Sequence, residues 1–592
     1  MQNIWINKKN GKTTDEVRAV ARENDILPET ALILLKRFER SEIPSVLSNT
    51  NLIEYDAHML KDAEKGAKLI AAAIKKNSKI CVVNDYDVDG VSSGYIMADG
   101  IKTCGGNAMI ITPDRLLDGY GISTRIIDEA VGNGCNFIVT TDNGIAAYEQ
   151  INYAASKGID VVITDHHEVP FEMVDGDKNY ILPKAMAIVN PHQEGCLYPY
   201  KSICGAVVAY KVVELLFHLI LKDSQIKEKK LNQYMELAAL GTVCDVMPIL
   251  DENRTIVKKG LKLMKHSSFI GLLMLMDAQQ VNKEHISVYD LGFRIGPCIN
   301  AESRITGCVK NALQLLMESD YKKATEIASY LKGLNDERKH ESEEAEQLAI
   351  DVVSKDLDCG VYCIYIPDKN PAIMGIVAGR IKEKYNHPVL CFTDDKYDII
   401  KGSGRSIPGY DMFAMLSRHK NLYDAFGGHP GAVGLSLKKK NFEKLKIVLN
   451  MDAKELDPAI YDKIIKVDLF ITPDLITQRF ISELERLEPF GNENEAPVLA
   501  ATNILITRMK RIGKTNNYLK LTSVMNNRVF ELLYFGDPNQ LEKYLEMKYN
   551  IKDIKDLYMG TIPDIYIDII YSVKYSEWNG TPSTSYIINE YK

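Results

Sequence analysis

A chain of 592 residues exceeds what a single hydrophobic core supports, so three or four domains are expected. With 46% hydrophobic and 26% charged residues, no run of about 18 apolar residues and no apolar leader in MQNIWINKKNGKTTDE, the sequence predicts no transmembrane helix and makes a cytoplasmic location the expectation. A net charge of −8 argues against a surface that coats nucleic acid everywhere but leaves room for a local basic groove. Eleven cysteines without a CxxC pair read as small buried hydrophobes, not as zinc ligands or disulfides.

In chain order, residues 1–50 read as a helical segment. Between residues 78 and 190, Val- and Ile-rich runs (KICVVND, AMIITPD, FIVTTDNG, DVVITDHH, MAIVNP) alternate with helical stretches, which predicts a parallel sheet covered on both faces. Ligands of such sheets bind beyond the carboxyl ends of the strands. The polar groups fall there: Asp85, Asp87 and Asp89 after the first strand, Asp142 after FIVTT, and Asp165, His166 and His167 after DVVIT. A single Asp in that place is ordinarily a helix cap or turn residue, but three strand ends delivering carboxylate or imidazole to one rim predict a metal site. Carboxylates and imidazoles without thiolate suit Mn²⁺ or Mg²⁺, and the number of candidate ligands suggests two ions, roughly 3.5–4 Å apart, with Asp142 bridging. Asp245 follows a helix expected to end near Gly241, where capping is the plain alternative.

Farther on, YKKATEIASYLKGLNDERKHESEEAEQLAIDVVSKD has apolar residues at helical spacing and no proline, which predicts one or two long connecting helices. The glycine-rich segments GSGRS (402–406) and FGGHPGAVG (426–434) can bring backbone N–H groups close to an anion. From about residue 460 short β-like runs suit a small barrel. There Lys510, Arg511, Lys514 and Lys520 with Tyr518 form a basic and aromatic patch suited to single strands, against the plain reading of a solubilising hairpin.

Taken in order, NDYDVDG, TPDRLLDGYGIS, TTDNGIAA, ITDHHEVP, GTVCDVMPI, GPCINAESRITG, GIVAGRIKEKYNHP, GSGRSIPG, FGGHPGAVGL and LEPFGNENEAP resemble the motif series of the RecJ single-strand-specific DNA exonucleases of the DHH phosphoesterase superfamily. The resemblance covers about residue 50 to beyond residue 520. It implies a DHH catalytic domain at 51–315, a helical connector at 316–358, a DHH-associated nucleic-acid-binding domain at 359–452 and an OB-like barrel at 460–592. A groove between the two middle domains would admit one strand and exclude a duplex.

The same resemblance implies the roles. Asp87, Asp89, Asp142, His166 and Asp245 match metal ligands, with Asp142 bridging. His167 matches a histidine acting at the scissile phosphate, and Asp85 an acid grouped with it as catalytic. Arg115, Asn300, Arg304, Ser403, Arg405, Gly428 and His429 match the substrate side, where a guanidinium suits paired hydrogen bonds to phosphate, and Lys510, Arg511 and Tyr518 extend it into the barrel. Single-stranded DNA is the implied partner, cut from the 5′ end in repair and recombination, together with a RecQ-type helicase and a single-strand-binding protein.

Three departures from the family pattern stand out. Asn84 replaces a frequent Gly, Asp118 a frequent Glu, and Ser303 a Gly in a segment expected to be the loop presenting Arg304. Other readings are a superfamily phosphodiesterase acting on short oligonucleotides or cyclic dinucleotides, which would not need the tail, and a scaffold of the same fold, which would not need every acid. A haloacid-dehalogenase phosphatase would leave the DHH segment without a task.

Overall fold

In the computed structural model the described residues are 3–8, 11–48, 52–115, 117–174, 177–355, 357–551, 554–561, 565–578 and 581–592. Positions 564, 579 and 580 of the last expected β run, and position 116 of the PDRLLDGYG segment, lie outside them. The chain divides into two units, one of residues 53–461 with 491–494, the other of 1–52, 462–490 and 495–592.

The larger unit begins with the parallel sheet expected from its Val- and Ile-rich runs. Five strands pair in the order Asn107–Ile111, Lys79–Asn84, Phe137–Thr141, Asp160–Thr164, Ala187–Val189. Their side chains are almost all buried, as a sheet packed on both faces requires. The order reverses between Lys79–Asn84 and Phe137–Thr141, and the crevice of a doubly wound sheet lies at that switch point. Helices Gly205–Ile220 and Ser224–Cys244 pack on the helix Val88–Thr103. An exposed hairpin, Phe171–Val174 with Asp177–Tyr180, was not legible in the sequence.

A single 33-residue helix, Tyr321–Val353, about 50 Å long at 1.5 Å per residue, leads to a second sheet in the same unit. Its order is Ala425–His429, Ala432–Lys438, Ile399–Arg405, Val389–Asp394, Tyr362–Tyr365, antiparallel except for the last pair.

In the smaller unit, strands Leu499–Ile512, Tyr518–Met525, Arg528–Tyr534, Thr581–Tyr591 and Ile565–Trp578 pair in that order, and Ile565–Trp578 pairs back on Leu499–Ile512 to close a barrel. The N-terminal segment belongs to this unit. It opens with a strand, Asn3–Asn7, parallel to Lys463–Val467, before the helices Thr14–Glu23, Pro28–Leu35 and Ile43–Leu47, so the all-helical expectation is corrected at its start. Among the described residues no helix is long and apolar enough to cross a membrane.

Candidate metal centre and strand-binding groove

Each acid leaves an element end that aims it into the crevice. Asp85 follows Lys79–Asn84. Asp87 caps the helix Val88–Thr103, its Oδ1 accepting from Gly90 N at 2.9 Å. Two residues on, the Asp89 carboxylate reaches the N-terminus of helix Gly205–Ile220 and accepts from Gly205 N at 2.6 Å and Ala206 N at 2.9 Å, which a helix N-terminus favours. Asp142 follows Phe137–Thr141 with φ of +62°, a left-handed conformation that costs energy for most residues but that Asp tolerates. Two glycines leave room for these groups: a Cβ at Gly241 would lie 2.4 Å from Asp89 Oδ1, and one at Gly205 would lie 2.6 Å from Asp142 Cβ. The helix expected to end at Gly241 runs on to Cys244, because its apolar face stays packed, and Asp245 is its C-cap.

The residues converge. His166 Nε2 lies 3.1 Å from Asp142 Oδ1, 3.5 Å from Asp245 Oδ2 and 3.8 Å from Asp89 Oδ2. Three groups have ligand atoms within 4.8 Å of one another: Asp85, Asp87 and Asp142; Asp89, His166 and Asp245; and Asp142, His166 and His167. Burial and neighbouring carboxylates raise the acids' affinity for protons. Asp85 is pushed up to about 8 by burial and Asp87, Asp245 to about 8 by burial, Asp89 and Asp87, and Asp142 well above the carboxylate range by burial and the surrounding acids. Burial also lowers His166 and keeps its imidazole neutral. Asp85 Oδ1 and Asp142 Oδ1 are buried without a hydrogen-bond partner. Like charges, orphaned oxygens and a neutral imidazole are what hard divalent cations would satisfy, so the donor set fits two such ions.

His167 is held differently. Its Nδ1 is 2.7 Å from Asp165 Oδ1, and the Asp165 carboxylate also accepts from the backbone N–H groups of Ile145, His166 and His167. Burial would lower His167, but the Asp165 bond and the charges of Asp165, Asp245 and Asp89 prevail and raise it to about 9. Tyr120 Oη donates to Asp142 O at 3.0 Å and lies 3.1 Å from His167 Nδ1. The sequence reading left Asp165 and Tyr120 without roles. The signals were there, an acid directly before two histidines and an aromatic ring in GYGIS, but Ile145 for Asp165, and Asp142 and His167 for Tyr120, are brought in from other parts of the sequence.

Of the substrate-side candidates, several surround this rim. The Arg115 guanidinium lies 4.8 Å from the Tyr86 ring centre. Arg304 donates from Nη1 to Ala372 O at 2.9 Å; burial, with Arg115 and Arg338 nearby, lowers it to about 10. Its segment is no loop: NAESR lies in helix Gly296–Thr306, where Ser303 is buried and donates to Asn300 O at 3.2 Å. Ser303 therefore sits in a helical turn that needs no glycine. Asn300 Oδ1 is buried and unpartnered. Ser403 and Arg405 lie on strand Ile399–Arg405; Arg405 donates to Gly404 O at 2.8 Å, and a Cβ on Gly375 would meet its Nη2 at 2.8 Å. Gly428 has φ of +142°, and a Cβ there would lie 2.3 Å from Ala432 O, so a side chain would break the strand pairing that presents exposed His429.

The barrel patch is less free than its composition suggests. Arg511 is clamped by Glu542 at 2.9 and 2.8 Å and by Asn539 at 2.7 Å, and Lys520 pairs with Glu531 at 2.6 Å. Tyr518 stands edge-on to Phe535 with ring centres 5.1 Å apart. The Arg511 fork is bonded within the unit, while Lys510 and Lys514 are exposed.

The chain was compared with known proteins. Residues 79–242 match the DHH family N-terminal domain, 359–455 the DHHA1 domain and 467–590 the RecJ OB domain. The single-stranded-DNA-specific exonuclease RecJ of Bacillus subtilis is 30% identical over 97% of this chain and 69% of its own. That of Escherichia coli is 31% identical over 74% and 77%. The structure superposes on the Mn²⁺ complex of Thermus thermophilus RecJ with a TM-score of 0.79 at 22% identity, covering 100% of this chain and 79% of that one. A second structure, exonuclease RecJ bound to manganese, is 28% identical with a TM-score of 0.57, over 67% and 96%. Motif order, three matched domains and the shared architecture agree: the chain belongs to the RecJ family of single-stranded-DNA-specific exonucleases.

Proposed function

We propose that the protein hydrolyses phosphodiester bonds of single-stranded DNA from the 5′ end, in repair and recombination in the cytoplasm, with two Mn²⁺ or Mg²⁺ ions. The observation that carries this is the convergence of Asp85, Asp87, Asp89, Asp142, His166 and Asp245 on one crevice with two of their oxygens orphaned. Bound there, such ions would supply a water of lowered pKa and stabilise charge on the phosphate. Asp87, Asp89, Asp142, His166 and Asp245 would hold them, with Asp142 shared between the groups.

The chain's own residues do the rest. Asp165 orients His167, which, raised to about 9, is positioned to donate a hydrogen bond to a phosphate oxygen or a proton to the departing oxygen. Tyr120 fixes that ring against the backbone of Asp142. Arg115, Arg304 and Arg405 would hold the strand's phosphates in register with the acids, with Asn300, Ser403, Gly428 and His429 alongside. A RecQ-type helicase and a single-strand-binding protein are proposed as partners on family membership alone. The test is hydrolysis of end-labelled single- and double-stranded DNA and RNA with Mn²⁺, Mg²⁺ or chelator. Metal-dependent release of nucleotides from the 5′ end of single-stranded DNA is expected, and preference for duplex or for dinucleotides would overturn the reading.

A further inference from the structure

Residues 288–306 form one continuous helix with a π-helical segment at Leu291–Ile295, a distortion that occurs mostly at functional sites. One side is packed: Leu291, Ile295, Cys298, Ile299 and Glu302 are buried. Tyr289 and Phe293, both exposed, and Pro297, Asn300 and Arg304, all half-buried, follow one another three or four residues apart, which places them on one stripe.

At one end of the stripe Arg304 is close enough to Asp87, Arg115 and Arg405 for their charges to act on it, and Asn300 carries its orphaned oxygen. The other end, about 20 Å away at 1.5 Å per residue, carries two stacked rings. Tyr289 and Phe293 have centres 5.0 Å apart and planes inclined by 22°, and they are 60% and 66% exposed. Single exposed aromatics are ordinary, but a stacked pair this bare presents a flat π face to solvent. The Arg294 guanidinium lies 5.9 Å from the Tyr289 ring centre while pairing with Asp290 at 3.2 Å.

The platform is rigidly tied to the acids. Cys244, which precedes Asp245, donates from Sγ to Leu291 O at 3.5 Å, and a Cβ at Gly296 would lie 2.4 Å from that sulfur. A ladder of phosphate-binding groups running into aromatic faces is how a single strand is held without regard to sequence, because every base has a π face and only an unpaired base can offer it.

We propose that Tyr289 and Phe293 form a base-stacking platform for the substrate strand, several nucleotides from the cleaved bond, with the backbone running along the stripe toward Arg304. This rests on the reading that single-stranded DNA is the substrate. It makes strand selection partly a property of this helix, since paired bases could not stack there.

The test uses the full chain with Mn²⁺, the double variant Tyr289→Ala/Phe293→Ala, and Phe293→Trp. The substrates are a long oligothymidylate, the same strand with abasic sites where the platform would meet it, and a trinucleotide. For the double variant KM on the long strand should rise about tenfold or more, well beyond its change on the trinucleotide, with an unaltered slope of affinity against salt because no phosphate contact is lost. Wild type should disfavour the abasic strand, the double variant should treat both strands alike, and Phe293→Trp should retain the discrimination. Equal loss on long strand and trinucleotide, or an undiminished abasic penalty in the double variant, would overturn the platform. Wild type that degrades no single strand would instead overturn the substrate assignment beneath it.

Discussion

Asp468 of the smaller unit and the acid cluster of the larger one are buried carboxylates held in opposite ways. In the smaller unit the Asp468 side chain is fully buried but saturated: Arg37 donates at 2.5 and 3.1 Å, Lys8 at 2.9 Å and Val498 N at 2.9 Å. Burial would raise its pKa, but Arg37 and Lys8 outweigh that and hold it below the usual carboxylate range. In the larger unit Asp85, Asp87, Asp142 and Asp245 are all pushed up by burial and by one another. Buried acid alone therefore does not mark a functional site. A buried acid whose charge is left without a partner does, because folding alone would not retain such a cost.

The largest effect should come from removing one shared charge in the unpaired cluster. Asp142→Asn should lower strand cleavage by about three orders of magnitude or more, roughly 4 kcal/mol at 1.36 kcal/mol per tenfold, without harming the fold, since Asn also tolerates the left-handed backbone. Thermal melting separates the cases. Mn²⁺ at about 100 times its Kd should stabilise wild type by about 2.7 kcal/mol and the variant much less, and near-normal turnover by the variant would remove Asp142 from the centre.

The paired acid should show the reverse pattern. Asp468→Ala leaves Arg37 and Lys8 without their carboxylate and should destabilise the smaller unit by about 3–5 kcal/mol, while trinucleotide hydrolysis in the larger unit persists. Because its folded pKa is depressed, Asp468 contributes stability that is fully present above the unfolded value of about 3.9 and is lost as pH falls through the lower folded value. Acid melting of the smaller unit should thus lose part of its pH dependence below about pH 4 in the variant, and an unchanged acid limb would refute the pairing argument.

The contrast also explains what could be read from the sequence. The parallel sheet and its rim of acids were legible because period, strand-end position and residue type are local signals, and the Asp87 cap and the Asp142 strand end follow from the same few residues. Asp165 and Tyr120 were not: Asp165 also takes the backbone N–H of Ile145, beyond a different strand, and Tyr120 reaches both Asp142 and His167, distant in sequence. Ser303 was misjudged because the glycine of the family pattern suggested a loop, where packing of Ile299 and Glu302 continues a helix. The pairing of Asn3–Asn7 with Lys463–Val467 joins segments far apart in the sequence, and no local pattern announces it.

A middle-sized effect tests the groove. Arg405→Ala should lose a charge-assisted hydrogen bond to the strand, on the order of 1.5–3 kcal/mol. Cleavage of DNA should fall accordingly, whereas a small activated phosphodiester, which needs only the acid cluster and its ions, should lose much less. Equal losses on both would make Arg405 a structural support of the unit.

The smallest effect asks whether saturation predicts idleness in the barrel as it does for Asp468. Lys510 and Arg511 are neighbours on strand Leu499–Ile512, and composition alone would give them the same task. Lys510 is exposed, while Arg511 is held in a two-pronged pair with Glu542 and bonded to Asn539. If the exposed lysine meets the strand, Lys510→Ala should reduce the slope of log affinity against log salt by about 0.7, one phosphate contact on single-stranded DNA, at a cost below about 1 kcal/mol. Arg511→Ala should leave the slope unchanged and destabilise the smaller unit by no more than about 1 kcal/mol, because the pair is partly exposed to solvent. Should Arg511→Ala change the slope instead, the Glu542 clamp must open when DNA binds, and a saturated charge in this protein would be a reserve for its substrate, not a sign of structural duty.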